Sequence, residues 1–268
     1  MRASIWILGA IALGANAHPH KLEARNNRAW LPAERNYYEA VAESLAIAER
    51  NPNFPRATGQ CDMSKATMPS STLPPPDAGL VLKHVAIGRG TQNYTCADNT
   101  NGTKPVAIGA VAELYNSSCV AADFPQLLAT LPDLALNVKL PQNLPCSGKH
   151  YFVAASPFFE ITRPSLGSTT AKKLAACSAP AGSPKGKGGN GYGAVPWLKL
   201  GQVSGAPALQ NVFRVNTAGG NPPPDCKGQP STIQIPYSAE YVFFVPFHPS
   251  APLTSPADTG SGGAHRDP

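Results

Sequence analysis

The chain has 268 residues, of which 42% are hydrophobic and 14% charged, and its formal net charge is +6. This length allows one large domain with extensions. The basic residues are scattered, without an arginine-rich helix or a basic stripe interleaved with aromatics, so we do not expect a nucleic acid partner. The charge is that of an ordinary basic surface, with weak attraction to acidic polysaccharide as the alternative.

Residues 1–17 have the three parts of a secretory signal peptide. Arg2 supplies a basic start, an apolar run covers residues 5–13, and Ala15 and Ala17 form a small-residue cleavage site. The apolar run is too short to span a bilayer, and no later stretch is apolar enough to do so. The sequence therefore predicts cleavage after Ala17, a secreted, extracellular protein and no membrane span.

Because the chain is expected to be exported, its cysteines predict disulfides and its sequons predict N-glycans. Six widely spaced cysteines predict three disulfides, and the connectivity stays open: Cys61, Cys96, Cys119, Cys146, Cys177 and Cys226. Their spacing does not fit a structural zinc site. Three sequons within a short segment predict N-glycans on at least two of Asn93, Asn101 and Asn116.

The first elements after the signal peptide are helical, and the rest are β. Residues 18–60 form an N-terminal extension in which residues 32–49 have helical spacing. Residues 61–248 are predicted as the β-rich domain, and the polar residues 249–268 as a disordered tail. The predicted fold is all-β, an antiparallel sandwich or flattened barrel. Strands are expected at 80–87, 106–115, 150–154, 195–200, 211–216 and 232–247, with one short helix at 123–131.

Two strand regions allow finer predictions. Residues 232–247 alternate with period two, which predicts one buried face, and Pro236 indicates an edge or a bulge. A hairpin of 80–96 with 106–115 would place Cys96 opposite Val106 and position 119 opposite Lys83. That separation excludes a Cys96–Cys119 bridge.

One loop has two possible roles. Residues 178–194 are rich in Gly, Ser and Pro and carry Lys185 and Lys187. They form either a mobile surface loop or a lid that contacts an anion.

No cofactor is expected from the motifs. Gly88-Arg89-Gly90 lacks the third glycine and the following helix of a dinucleotide loop, and Gly-x-Ser-x-Gly is absent. His18, at the mature N-terminus, could chelate copper together with His84 or His150. A three-residue copper site that uses His20 would need an amide N–H at the second residue, which Pro19 does not have. No metal is therefore expected. A glycosidase pair could come from the strand carboxylates Glu113, Glu160 and Glu240, among which the sequence does not choose.

Several side chains are candidates for ligand contact. His84 is either a core histidine or a ligand contact, and His150 is similarly ambiguous. Aromatic rings could stack on sugar faces or pack in the core. The candidate ligand-binding residues are His84, Arg89, Tyr94, His150, Tyr151 and Trp197.

Four blocks carry a family resemblance: 79–96, 109–115, 195–200 and 214–220. They resemble a family of exported fungal and bacterial β-rich proteins of unknown function, whose fungal members often carry the label malate dehydrogenase. The resemblance covers about residues 73–247 and implies export and one β-rich domain, with no catalytic residues to transfer. An Asp-Gly-Ser turn associated with the family is here Leu166-Gly167-Ser168, so an acidic role there is not expected.

Two expectations depend on this resemblance. Cys96 and Cys226 lie within or beside the resembling blocks, which favours a bridge between them. The dehydrogenase label conflicts with the missing dinucleotide motif, so NAD-dependent malate oxidation is not expected.

The sequence as a whole favours a secreted binding protein of the cell wall or a host surface, with carbohydrate as its ligand. The alternative is a secreted enzyme acting on polysaccharide, either oxidative through copper or hydrolytic through a carboxylate pair. Oligomeric state stays open.

Overall fold

The structure is a computed structural model that describes residues 61–140, 144, 146–205 and 209–247. The predicted signal peptide with its cleavage site, the helix at 32–49, His18 and the tail at 249–268 lie outside the described residues.

Eight antiparallel strands form a closed barrel in which each strand pairs with the next and β8 pairs with β1. The strands are β1 Leu80–Thr95, β2 Val106–Asn116, β3 Cys146–Val153, β4 Ser156–Ile161, β5 Gly167–Cys177, β6 Trp197–Gly205, β7 Asn211–Gly219 and β8 Thr232–Pro246. The all-β prediction is confirmed, and the closed barrel is the architecture formed.

Several predicted boundaries differ from the structure. β4 and β5 were both missed; in β5 three consecutive residues, 172–174, are exposed, which breaks the alternation. β1 continues through Gly88 and Gly90. Glycine at position 88 is a packing requirement, because a side chain there would collide with the Tyr241 ring. Instead of one helix at 123–131, the chain forms α1 Ser118–Asp123, α2 Pro125–Leu128 and α3 Leu131–Asn137.

The predicted β1–β2 hairpin has the expected register. Ile87 faces Tyr115 and Asn93 faces Gly109, after which a bulge shifts the pairing by one residue. Cys119 lies beyond the end of β2, far from Cys96, as the register required.

Two hydrophobic cores lie on opposite sides of the barrel wall. The inner core fills the barrel and includes Phe159, Tyr237, Tyr241 and Phe243. The outer core lies between the wall and a covering layer made by residues 61–79, the helices and the segment around 179. Its members on the wall include Val85, Ile87, Trp197, Phe213, Val215, Val242 and Phe244.

This outer layer corrects the prediction for the last strand. Every residue of β8 from Tyr237 to Val245 is buried, so the expectation of one buried face is wrong over that span. Alternate residues such as Val242 and Phe244 pack in the outer core, and their neighbours fill the barrel. Pro236 pairs with Thr91 of β1, and it lies just past the last β7 pairing at Tyr237, which fits an edge position.

Four of the six cysteines form two disulfides. Cys96 joins Cys226, the favoured pairing, and Cys61 joins Cys119. The expected third bridge is wrong, because Cys146 and Cys177 are free. Cys146 begins β3 and Cys177 ends β5; these two strands run in the same direction, so the two thiols lie at opposite ends of the barrel.

The loop at 178–194 belongs to the covering layer. The Gly219 N–H donates to Pro184 O over 2.9 Å, and the Gly188 N–H donates to the side chain of Asn137. Lys185 and Lys187 are both exposed. Across the described ranges, none of the helices has the length and apolar character needed to cross a membrane.

Candidate functional site

A groove of about 480 Å³ lies on the outside of the barrel wall. We call it the wall groove, and it lies where the covering layer ends, between α3, the loop at 187 and strands β1, β2 and β8. Its lining residues are Arg89, Gly90, Thr91, Val111, Ala112, Glu113, Tyr115, Leu136, Lys187 and Pro236.

Strand alternation directs the charged side chains of the wall groove outward. Arg89 has the same orientation as Val85 and Ile87, which pack in the outer core, whereas Ala86 faces the barrel interior. In the register of β1 and β2, Arg89 lies directly opposite Glu113. The groove thus combines a guanidinium group, a carboxylate and the exposed ammonium group of Lys187.

Tyr115 is bound to the groove carboxylate. Its Oη donates to Glu113 Oε2 over 2.7 Å. Burial, followed by the hydrogen bond to Glu113, raises the pKa of Tyr115 well above its usual value. The phenol therefore stays protonated at physiological pH and keeps Glu113 as an acceptor.

The wall charges continue beyond the groove with alternating sign. Arg89 faces Glu113, Glu113 faces Lys149, and Lys149 faces Glu160 across four consecutive strands. Cross-strand pairs of opposite charge are mildly stabilising on an exposed sheet. This row marks the part of the barrel that the outer layer leaves uncovered.

Glu240 lies on the opposite, covered side of the same wall. It is 1% exposed and pairs with Ile87 and Val215. Its Oε2 accepts a 2.7 Å hydrogen bond from Asn216, whose φ of 43° places it at a bulge in β7. Burial raises the pKa of Glu240 to about 7, against the opposing effect of the Asn216 hydrogen bond.

Both histidine candidates are buried. His84 Nδ1 is 2.8 Å from Ser118 Oγ and its Nε2 is 3.0 Å from Ser147 Oγ. His150 stacks on Phe159 inside the barrel, and its Nδ1 is 3.0 Å from Phe158 O. Burial lowers the pKa of each imidazole to about 4, so both are neutral at physiological pH.

The aromatic candidates are dispersed over the molecule. Tyr94 is buried and its Oη donates to Gly220 O over 2.7 Å, whereas Trp197 is buried in the outer core. Tyr151 is half-buried against Phe158 on the uncovered side. Of the six candidate ligand-binding residues, the wall groove includes only Arg89.

The three carboxylates considered for hydrolysis are also separated. Of these, only Glu113 lines the wall groove, while Glu160 is exposed two strands away and Glu240 is buried. Among the described residues, no three His, Cys, Asp or Glu side chains are placed to hold one metal ion.

The sequons have different accessibility. Asn101 and Asn116 are exposed, and Asn93 is half-buried with its Oδ1 accepting from Thr91 Oγ1 over 2.9 Å. Asn93 follows Arg89 and Thr91 on the outer face of β1, so a glycan there would start beside the wall groove.

Sequence reasoning missed Tyr115 as a site residue. Its position two residues after Glu113 in a strand puts both side chains on one face, and that spacing was the available signal. The contributions of Leu136 and Pro236 depend on long-range packing and had no local signal.

The fold and groove define a closed eight-stranded antiparallel β-barrel with a charged groove on its wall. Residues 76–245 match a family described as Protein of unknown function (DUF3455), and the chain belongs to that family. No curated protein and no solved structure matches the chain.

Proposed function

We propose that this protein is an exported binding protein whose wall groove takes an acidic carbohydrate of a cell wall or host surface. The observation that carries the proposal is that two cationic side chains, Arg89 and Lys187, and a carboxylate acceptor, Glu113, line one groove. The predicted signal peptide and the two disulfides support export.

The chemistry of the groove suits an acidic sugar. A guanidinium group binds a carboxylate through two parallel hydrogen bonds, so Arg89 suits the acid group of a uronic acid residue. Glu113 can accept from a ring hydroxyl, because only one of its oxygens is engaged by Tyr115. The exposed side chains of Val111 and Pro236 offer apolar surface to the C–H face of a sugar ring.

Charge balance favours an anionic ligand over a neutral one. The groove has two cationic side chains and one carboxylate, which leaves one positive charge to be matched. Its volume of about 480 Å³ lies within the usual range for small-molecule sites.

The experiment is a glycan array followed by calorimetry on the secreted, processed protein. Oligomers of galacturonic acid are the acidic probe, and the corresponding neutral galactose oligomers are the control. We expect saturable binding of the acidic oligomers, which Arg89→Gln weakens at least tenfold because a charge-assisted hydrogen bond is lost.

Lys172→Gln is the matched control, since it removes one exposed positive charge from β5, outside the groove. Equal effects of the two variants, or no binding of any acidic glycan, would refute the proposal. Release of shorter oligosaccharides during the incubation would instead favour the hydrolytic alternative.

A further inference from the structure

Arg214 is a buried cation inside the barrel. It lies on β7 between Phe213 and Val215, which both pack in the outer core, so alternation directs Arg214 into the interior. The residue is 8% exposed. Its Nη2 donates to Pro196 O over 2.9 Å, whereas its Nε is fully buried without a hydrogen-bond partner.

The neighbours of Arg214 do not neutralise its charge. It is close enough to interact electrostatically with Tyr94, Tyr237, Tyr241 and His150, none of which is anionic at physiological pH. Tyr237 and Tyr241 bind each other through their hydroxyls at 2.9 Å. Within the described ranges, the only ion pair joins Lys199 to Asp77, in the outer layer.

The carboxylate on the neighbouring strand β8 does not neutralise this charge. Glu240 precedes Tyr241, which pairs with Arg214, but its side chain lies on the other face of β8 and binds Asn216. The guanidinium group of an arginine stays protonated in proteins, so Arg214 keeps its positive charge. A buried charge without a partner is strongly unfavourable, so native proteins pair such charges.

Gln92 adds a second unsatisfied donor to the same part of the barrel. It pairs with Ile235 on β8, two residues from Tyr237, and it is 8% exposed. Its Nε2 is buried and has no hydrogen-bond partner. A buried donor without an acceptor is expensive, and here two unsatisfied donors, one on a cation, lie in the same interior.

We infer that the barrel interior binds a small oxyanion, a carboxylate or a phosphate, through Arg214 Nε and Gln92 Nε2. The Tyr237 and Tyr241 hydroxyls lie within reach of Gln92 and Arg214 but are uncharged, so the anion supplies the negative charge that the surrounding side chains lack. This site lies on the inner side of the wall and is independent of the wall groove.

The test measures thermal stability and calorimetric binding of the full secreted protein. Sodium acetate and sodium phosphate are titrated separately against sodium chloride at equal ionic strength, which distinguishes an organic from an inorganic anion. We expect a saturable rise in Tm with at least one of them. Gln92→Leu should weaken binding at least tenfold, because it removes one donor and leaves the charge in place.

Arg214→Gln should abolish the saturable effect, and Arg89→Gln, in the wall groove, should leave it unchanged. Should Arg214→Gln fail to fold, Gln92→Leu and a selenate-soaked crystal decide. A selenium anomalous peak at Arg214 Nε supports the site. Ordered water there without selenate, or equal responses to acetate, phosphate and chloride, would overturn it.

Discussion

The outer surface of the barrel has a covered side, beneath the covering layer, and an uncovered side. Both are built from alternating strands, but they are stabilised differently. On the covered side, β7, the Tyr237–Val245 part of β8 and the His84–Gly88 part of β1 have both faces buried, and the outer core packs against residues 61–79 and the helices. On the uncovered side, β2 to β4 expose Glu113, Lys149 and Glu160 as a charged row. A closed barrel can therefore have a single core over part of its wall and two cores over the rest. The wall groove lies at the border between the two sides.

The largest expected effect tests whether the outer core is a true second core. Phe159 in the inner core and Phe213 in the outer core are both fully buried. We expect Phe159→Ala and Phe213→Ala each to lower the free energy of unfolding by about 3–5 kcal/mol, measured by urea denaturation. Val111→Ala on the uncovered side should change it by less than about 0.5 kcal/mol. A loss below about 1 kcal/mol for Phe213→Ala would mean that the covering layer is only loosely attached.

The disulfide of the covering layer offers a second test. Cys61–Cys119 links residues 61–79 to α1, and its cysteines have a sequence separation of 58. The double variant Cys61→Ala/Cys119→Ala should lose about 2–4 kcal/mol of stability, because the unfolded chain gains freedom. We expect faster amide hydrogen exchange at the outer core and little change in β3 and β4. Uniform acceleration over the barrel would contradict the comparison.

Glu240 gives the covered side its own pH dependence. Its pKa in the folded state is about 7, above its ordinary value of 4.5. The folded protein thus holds this proton more tightly than the unfolded chain, and the Glu240 contribution falls as pH rises from about 4.5 to 7. Glu240→Gln should raise the free energy of unfolding by about 3 kcal/mol at pH 8 and have no effect at pH 4. A gain that persists at pH 4 would assign the effect to packing.

The two buried histidines have the opposite effect on the pH dependence of stability, over an overlapping range of pH. His84 and His150 have pKa values of about 4, below their ordinary 6.5, so the unfolded chain takes up their protons first as pH falls. Their contribution is lost between about pH 6.5 and 4. The pH titration of Glu240→Gln is therefore compared with wild type at each pH, which cancels the histidine contribution.

The smallest expected effects come from two lysines on opposite sides. Lys199 is buried in the covered side, where its Nζ binds Asp77 at 2.5 Å and Pro75 O at 2.7 Å. Lys199→Gln should lower the free energy of unfolding by about 1–3 kcal/mol, because these hydrogen bonds are disrupted at a buried site. Lys149→Gln, in the exposed row, should change it by less than about 0.5 kcal/mol. Equal values from urea denaturation would remove the distinction between the two sides.

The site was less accessible from sequence than the fold. Arg89, Glu113 and Lys187 were all considered from the sequence, but in different contexts: a glycine motif, a carboxylate pair and a loop. Their convergence in one groove depends on α3 packing against β1 and on the loop at 187 packing against α3. Trp197, in contrast, was a candidate for sugar stacking, but it is buried in the outer core and does not line the groove.

The local features of the fold follow from the amino-acid pattern alone. Period-two alternation and turn spacing were enough for the all-β class and for the β1–β2 register, in which Ile87 faces Tyr115. The closure of β8 on β1, the free thiols of Cys146 and Cys177, and the burial of both faces of β8 from Tyr237 to Val245 depend on contacts between distant segments. The physical reason is that alternation assigns side chains to two faces of a strand, whereas burial of a face depends on distant segments that pack against it.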